Sequence, residues 1–228
     1  PHESIVIVGI DEQSLAELGR FPWDRAVYAP LLDNLNQPGF EPKAIGFDIL
    51  FNEESNPDSD MAFAEALSQY DNVILPVVGV TEGEVFNTTL VSRDEPLRVY
   101  SFVKPYEWFA DLAHHAHINR VVSDDGVIRQ TWLNIRDDET VMPSLAYKAA
   151  EMYGADLSRY DDMTDPGRKV AKNQITIDYQ LSTQDFMTVP FVSVLNGDIP
   201  PETFQDAIVL IGFTSVGSTD DNGITPIE

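Results

Sequence analysis

The pattern of apolar positions organises this chain around residues 4–15, SIVIVGIDEQSL. Ile5, Val6, Ile7, Val8 and Ile10 form a near-continuous apolar run interrupted only by small Gly9. A run with no wet side predicts a central strand of a sheet covered on both faces. It stops at Asp11, where a helical pattern begins and a carboxylate can accept bonds from the free N–H groups of the first turn. Three more runs of this kind follow, over residues 44–51, 72–80 and 207–212. Helical patterns link the first three, which predicts parallel strands with right-handed crossovers. The expected fold is therefore α/β. A central, mainly parallel sheet contains the strands at Ile5, Ala44, Val73 and Ile208, with helices on both faces and a peripheral antiparallel hairpin.

Between the strands, residues 11–19 read as a short helix closed by Gly19. Pro22 breaks the pattern and Asp24 can cap a helix over 25–36, with Ala26, Ala29, Leu31, Leu32 and Leu35 apolar. Pro30 inside it signals a kink or a late start. Residues 52–60 read as a polar loop before a helix from Met61 to Tyr70. Residues 82–103 alternate like a hairpin or flap. Residues 105–113 read as a short helix with Pro at its first position. Residues 116–122 and 127–136 read as paired strands about Asp125-Gly126, a strong hairpin signal. Residues 142–154 read as a helix with Leu145, Ala146, Ala149, Ala150 and Tyr153 inward. The charged, Gly- and Pro-containing stretch 156–172 reads as an exposed loop. A strand over 174–179, a helical turn over 191–195 and a short helix over 200–205 precede the last buried strand. Residues 213–226 read as loop. Nothing divides the chain, so 1–228 is expected to form one domain.

Composition adds boundaries rather than elements. With 228 residues and 43% apolar content the chain can bury a sizeable core. No stretch reaches the roughly 20 apolar residues of a membrane span. No signal peptide is visible, and the chain opens almost directly on a strand, the pattern of a piece of a longer protein. Fourteen basic against 38 acidic residues leave a formal charge of −24, which repels nucleic acid and anionic headgroups. The absence of Cys excludes disulfides, thiolate nucleophiles and Cys-ligated zinc.

Candidate chemistry gathers at the strand ends, where open α/β sheets place ligands. Asp11 and Asp48, at the ends of neighbouring strands, are the pair that could hold Mg²⁺ for phosphoryl chemistry. Capping alone also explains Asp11, and no lysine stands in these loops. Arg20, Arg25 and Arg129 stand out in so acidic a chain. Ion pairs of Arg20 or Arg25 with Asp11 or Asp48 are the default reading, a small-anion pocket the alternative. His114, His115 and His117 are read first as solvated histidines and next as a pH-responsive surface patch; as a metal site they offer two nitrogens on one face as either helix or strand, with no third ligand fixed. Residues 212–218 could present N–H groups to an anion but lack a P-loop ending. Gly-x-Ser-x-Gly and HExxH are absent. Asn87-Thr88-Thr89 is a formal sequon. No metal and no cofactor is assigned.

Taken in order, VGIDEQSLAELGRFPWDR, LLDNL, AIGFDILFNEES, INRVVSDDGVIR, MPSLAYKAA, FVSVLNGDIPPETFQDAIVLIGFTSVGSTDD and a final ITP resemble the CHASE domain of the second type. The resemblance runs from Ile5 to Pro226. It implies a non-enzymatic sensing domain outside the cytoplasmic membrane of bacteria, flanked by transmembrane helices. It implies a cytoplasmic output such as a nucleotide cyclase, histidine kinase or diguanylate cyclase. It carries over no catalytic residue and no ligand. The expected ligand pocket is the sheet edge: Asp11, Arg20, Trp23, Arg25, Asp48, Asn119 and Arg129. The signal is a small molecule or a protein, and adjacent first and last strands are expected to bring the chain ends together. The rival readings, in order, are a dimerising or docking module without a small ligand, and a metal-dependent phosphohydrolase using Asp11 and Asp48.

Overall fold

The structure, a computed structural model, describes residues 2–80, 89–91, 99–122, 125–161 and 173–215. Its strands are β1 (His2–Ile10), β2 (Ala44–Phe47), β3 (Val73–Val80), β4 (Thr89–Val91), β5 (Ser101–Val103), β6 (His114–His117), β7 (Arg120–Val122), β8 (Gln130–Trp132), β9 (Asn134–Arg136), β10 (Val141–Pro143), β11 (Gln174–Thr176), β12 (Phe186–Pro190) and β13 (Ile208–Phe213). The α-helices are α1 (Glu12–Leu18), α2 (Tyr28–Leu35), α3 (Pro57–Leu67), α4 (Leu145–Tyr153) and α5 (Phe191–Leu195).

The main sheet runs β12-β1-β13-β2-β3, and β3 forks. Ile74 to Val77 pair in parallel with β6, whereas Val78 to Val80 pair antiparallel with β5. All other pairings in this sheet are parallel, as near-continuous apolar strands require. β13 lies directly beside β1, with Ile5 opposite Ile208 and Ile10 opposite Phe213. β12 went unread in the sequence: FMTVP is short, half exposed and closed by proline, which an edge strand tolerates. A second sheet runs β11-β8-β7-β4, and β9 pairs with β10. The expected hairpin survives as β7 against β8, within that second sheet.

Helices cover both faces. Val6, Val8 and Ile10 of β1 face a core shared with Leu31, Leu32 and Leu35 of α2, Phe63 of α3 and Phe191 of α5. Tyr28, Phe47, Phe51 and Phe63 meet there largely edge to face, Tyr28 to Phe51 at 5.0 Å. α4 packs on the opposite face, where Ala149 joins Ala44, Ile74 and Ala116. Gly46 permits that approach, since a Cβ there would stand 3.0 Å from Leu145 Cδ1. A third cluster, Val77, Val99, Val121, Trp132, Ile135 and Met142, joins the fork of β3 to the smaller sheets.

Several boundaries move. α2 starts late, after a 3-10 turn over Arg25–Val27, which leaves Pro30 in its first turn where no N–H is needed. Tyr28 is buried there, and Ala26 is exposed. α3 starts at Pro57 under an Asn56 cap, so the supposed polar loop is half helix. Residues 105–113 form successive turns, not a helix. Tyr106 N–H donates to the Phe51 carbonyl at 2.7 Å, and Phe109 is drawn into the core. Met142 and Pro143 belong to β10, and Ser144 caps α4 instead. Ala146 and Tyr153 of α4 are exposed. The anticipated strand over 174–179 is confined to Gln174–Thr176, and the short helix near 200 is a 3-10 turn over Pro201–Thr203. The readings over 82–88, 92–98, 162–172 and 216–226 lie outside the described residues. Because β1 and β13 are parallel, the chain enters β1 at one edge of the sheet and leaves β13 at the other. The chain ends themselves, residue 1 and residues 216–228, lie outside the described residues, and the expectation that they meet falls on them.

Candidate functional site

The C-terminal edge of the parallel strands carries an open cleft of ≈ 960 Å³. Three segments build it: residues 21–25 after α1, residues 48–55 after β2, and Phe213 at the end of β13, with Ile118 and Arg120 closing one side. Its location is the one that open α/β sheets use for ligands. Phe21 meets Trp23 at 5.6 Å and Phe213 at 4.7 Å, both edge to face. Trp23 is held by its indole N–H, which donates to the Gly19 carbonyl at 2.8 Å, and by its ring against Phe191. Gly19 adopts φ +88°, so the turn that supplies this acceptor suits glycine.

Of the seven expected site residues, the cleft brings together three: Trp23, Arg25 and Asp48. Arg25 is buried, and its partner is neither Asp11 nor Asp48. Its Nη1 donates to Asp60 Oδ1 at 2.7 Å, Nη2 donates to the Glu53 carbonyl, and the guanidinium lies 5.2 Å from the Phe109 ring centre. The earlier start of α3 explains the correction, because it places Asp60 in the first helical turn, 1% exposed, beneath Arg25. The second Asp60 oxygen accepts from Ser55 N–H at 2.8 Å. One buried ion pair thus holds both ends of the 53–55 segment of the cleft wall. Asp48 is exposed on that wall.

The other four lie off the cleft lining. Asp11 caps α1, accepting from Ser14 N at 2.9 Å and Ser14 Oγ at 2.7 Å. Ser14 Oγ in turn accepts from Val192 N–H, tying α1 to α5. Arg20 is exposed beyond α1. Asn119 is buried and pairs with the Gly79 backbone, donating from Nδ2 to its carbonyl at 2.9 Å and accepting its N–H at 2.8 Å. Arg129 pairs with Asp125 at 2.8 Å across the β7–β8 turn. Asp11 and Asp48 do not end neighbouring strands, because β13 stands between β1 and β2. Two strand spacings, about 9.6 Å, separate their strands, too far for one Mg²⁺ with ~2.1 Å bonds.

The histidines fall on β6 as a strand, so His115 and His117 share a face. His114 is exposed, with Nε2 3.0 Å from the Asp71 carbonyl oxygen. His117 is 1% exposed, and burial pushes its pKa down to about 3, only partly offset by the Trp132 carbonyl. Among the described residues no group of three or more His, Asp or Glu is arranged to hold a metal.

Around the cleft, charge is unbalanced. Asp24, Asp48, Glu53 and Glu54 are exposed on its lining, against Arg25 and Arg120. The Ser59 hydroxyl, with the Ala26 N–H, holds the Asp24 carboxyl below the usual range. Burial pushes the Tyr28 phenol up, so it stays neutral. Sequence reasoning missed Phe21, Phe51, Glu53, Glu54 and Phe213. The signal lies in RFPWDR, FDILFNEES and IGFTS, three segments that only the sheet brings together.

The CHASE2 domain family matches residues 1–228, the whole chain. The protein belongs to the CHASE2 domain family. CHASE2 domains are extracytoplasmic sensory domains of signalling proteins. No curated protein and no solved structure matches the chain. None of the helices among the described residues is long and apolar enough to cross a membrane. The CHASE2 fold seen here places an aromatic and acidic cleft at the sheet edge, against the last residue of β13.

Proposed function

We propose that this CHASE2 domain is the ligand-sensing input of a bacterial transmembrane signalling protein and that the cleft is its receptor site. The membrane helices and the cytoplasmic output, a cyclase, histidine kinase or diguanylate cyclase, belong to the same proposal. The observation that carries it is the convergence of residues 21–25, 48–55 and Phe213 on one cleft at the ligand edge of the sheet. Phe213 supplies a route outward. It ends β13, which is paired over six residues with β1, so a ligand that seats against Phe213 bears on both strands. A ligand shifts such a sheet only if it binds two arrangements with different affinity.

The test is a small-molecule screen by thermal shift, followed by hydrogen exchange on any hit. The expected result is a saturable rise in Tm that Asn52→Trp, a cleft-filling change, removes, with slower exchange along β1 and β13. Hits that ignore Asn52→Trp would move the receptor site elsewhere. A second reading, a homodimer or docking module, draws on the face of β1 and β13 not covered by α4. Ile5, Ile7 and Leu210 are half-buried there. Light scattering on the purified domain separates it from a monomeric receptor.

A further inference from the structure

Resting on the reading of the cleft as the receptor site, we infer that its ligand is an organic cation with an apolar body. Four carboxylates on the lining face two guanidiniums. Arg25 is committed inward rather than to the cleft: it is buried, its charge is paired with Asp60 at 2.7 Å, and its other terminal nitrogen donates to the Glu53 carbonyl. An anionic ligand would meet the exposed Asp48, Glu53 and Glu54 without a committed counter-charge from Arg25. A cation meets those carboxylates and a wall of rings. On that wall Phe21 meets both Trp23 and Phe213 edge to face. The faces of aromatic rings are negative, and cations bind over them. The formal charge of −24 on the whole chain adds a field that concentrates cations near any concave surface.

A bare metal ion is the poorer match. At ≈ 960 Å³ the cleft has the size of an organic-ligand site, and among the described residues no three His, Asp or Glu side chains converge. The acidic groups stand around an apolar wall, the arrangement that suits a substituted ammonium or amidinium head joined to an apolar group.

Calorimetry on the domain with four probes of known charge tests this: benzyltrimethylammonium, benzyl alcohol, benzoate and MgCl₂. Benzyltrimethylammonium is expected to bind at one saturable site, more weakly as salt rises. Each neutralised carboxylate of the set Asp48→Asn, Glu53→Gln and Glu54→Gln should weaken it about threefold, and the triple variant tenfold or more. Asn52→Trp, or Leu50→Trp as a second blocking change, should abolish binding while leaving the melting temperature without probe unchanged. Benzoate or benzyl alcohol binding as tightly as the cation, and lost on blocking, overturns the charge assignment and leaves the cleft reading intact. Binding of Mg²⁺ in place of the organic cation overturns it equally. Binding of any probe that both blocking variants leave unchanged, or none by all four, overturns the cleft reading and the cation with it.

Discussion

Asp60→Asn should destabilise the domain far more than an ordinary carboxylate change. Asp60 is 1% exposed and Arg25 8% exposed, and their side chains meet at 2.7 Å. Removing one member of a buried pair leaves the other charge uncompensated, which costs roughly 3–5 kcal/mol. Asparagine still offers an oxygen to Ser55 N–H, so the loss isolates the charge rather than that bond. In a chain of this size each kcal/mol moves Tm by about 2–4 °C, so the expected drop is roughly 6–20 °C. Arg25→Met keeps an unbranched apolar stem beside Phe51 and Phe109 while removing the guanidinium. The double variant Arg25→Met/Asp60→Asn should then be more stable than the two single losses added together, by about 2 kcal/mol or more. Urea midpoints for the four proteins give this coupling directly. Amide exchange over residues 53–55 should quicken in Arg25→Met, which also removes the donor to the Glu53 carbonyl that anchors that wall of the cleft. A loss below about 1 kcal/mol for Asp60→Asn would place the pair among surface ion pairs and refute the anchoring role.

Acid should weaken the fold through His117. Burial depresses its folded pKa to about 3, below the usual 6.5, so the unfolded chain takes up the proton first. Stability from this group is complete above pH 6.5 and falls by about 1.4 kcal/mol per unit below it, or about 2 kcal/mol by pH 5. The pH 7 minus pH 5 difference in urea stability should shrink by that amount in His117→Leu. Asn119→Ala orphans the buried N–H and C=O of Gly79 and should cost about 1–3 kcal/mol for each, read from urea midpoints. Asp11→Asn should change stability by only a few tenths of a kcal/mol and Asp11→Ala by about 1, because the residue serves α1 as a cap; a large loss on Asp11→Asn would instead point to a role for its charge.

The apolar runs at Ile5, Ala44, Val73 and Ile208 were legible as buried strands because a strand covered on both faces has no polar period to disguise it. Asp11, Asp24 and Gly19 were legible as caps and stops because their chemistry acts within one turn. The start of α3 was not. Its cap, Asn56, sits in a run of polar residues, and the burial of Ser59 and Asp60 depends on what α3 packs against. The candidate site suffered for the same reason. Once residues 52–60 read as loop, Asp60 dropped out as the partner of Arg25, and Asp48 and Asp11 stood in for it.

The alternation of apolar runs and capped helices therefore determined the α/β class by itself, since propensity, capping and periodicity are properties of neighbours along the chain, and the order of the motifs along the chain carried the family resemblance. Only the tertiary structure decided which strands lie side by side. By inserting β13 between β1 and β2 it parted Asp11 from Asp48, placed Phe213 against Phe21, and turned Asn119 into a partner for the Gly79 backbone. These outcomes rest on contacts between residues 40 to 203 positions apart, and no local pattern records a contact made at that distance.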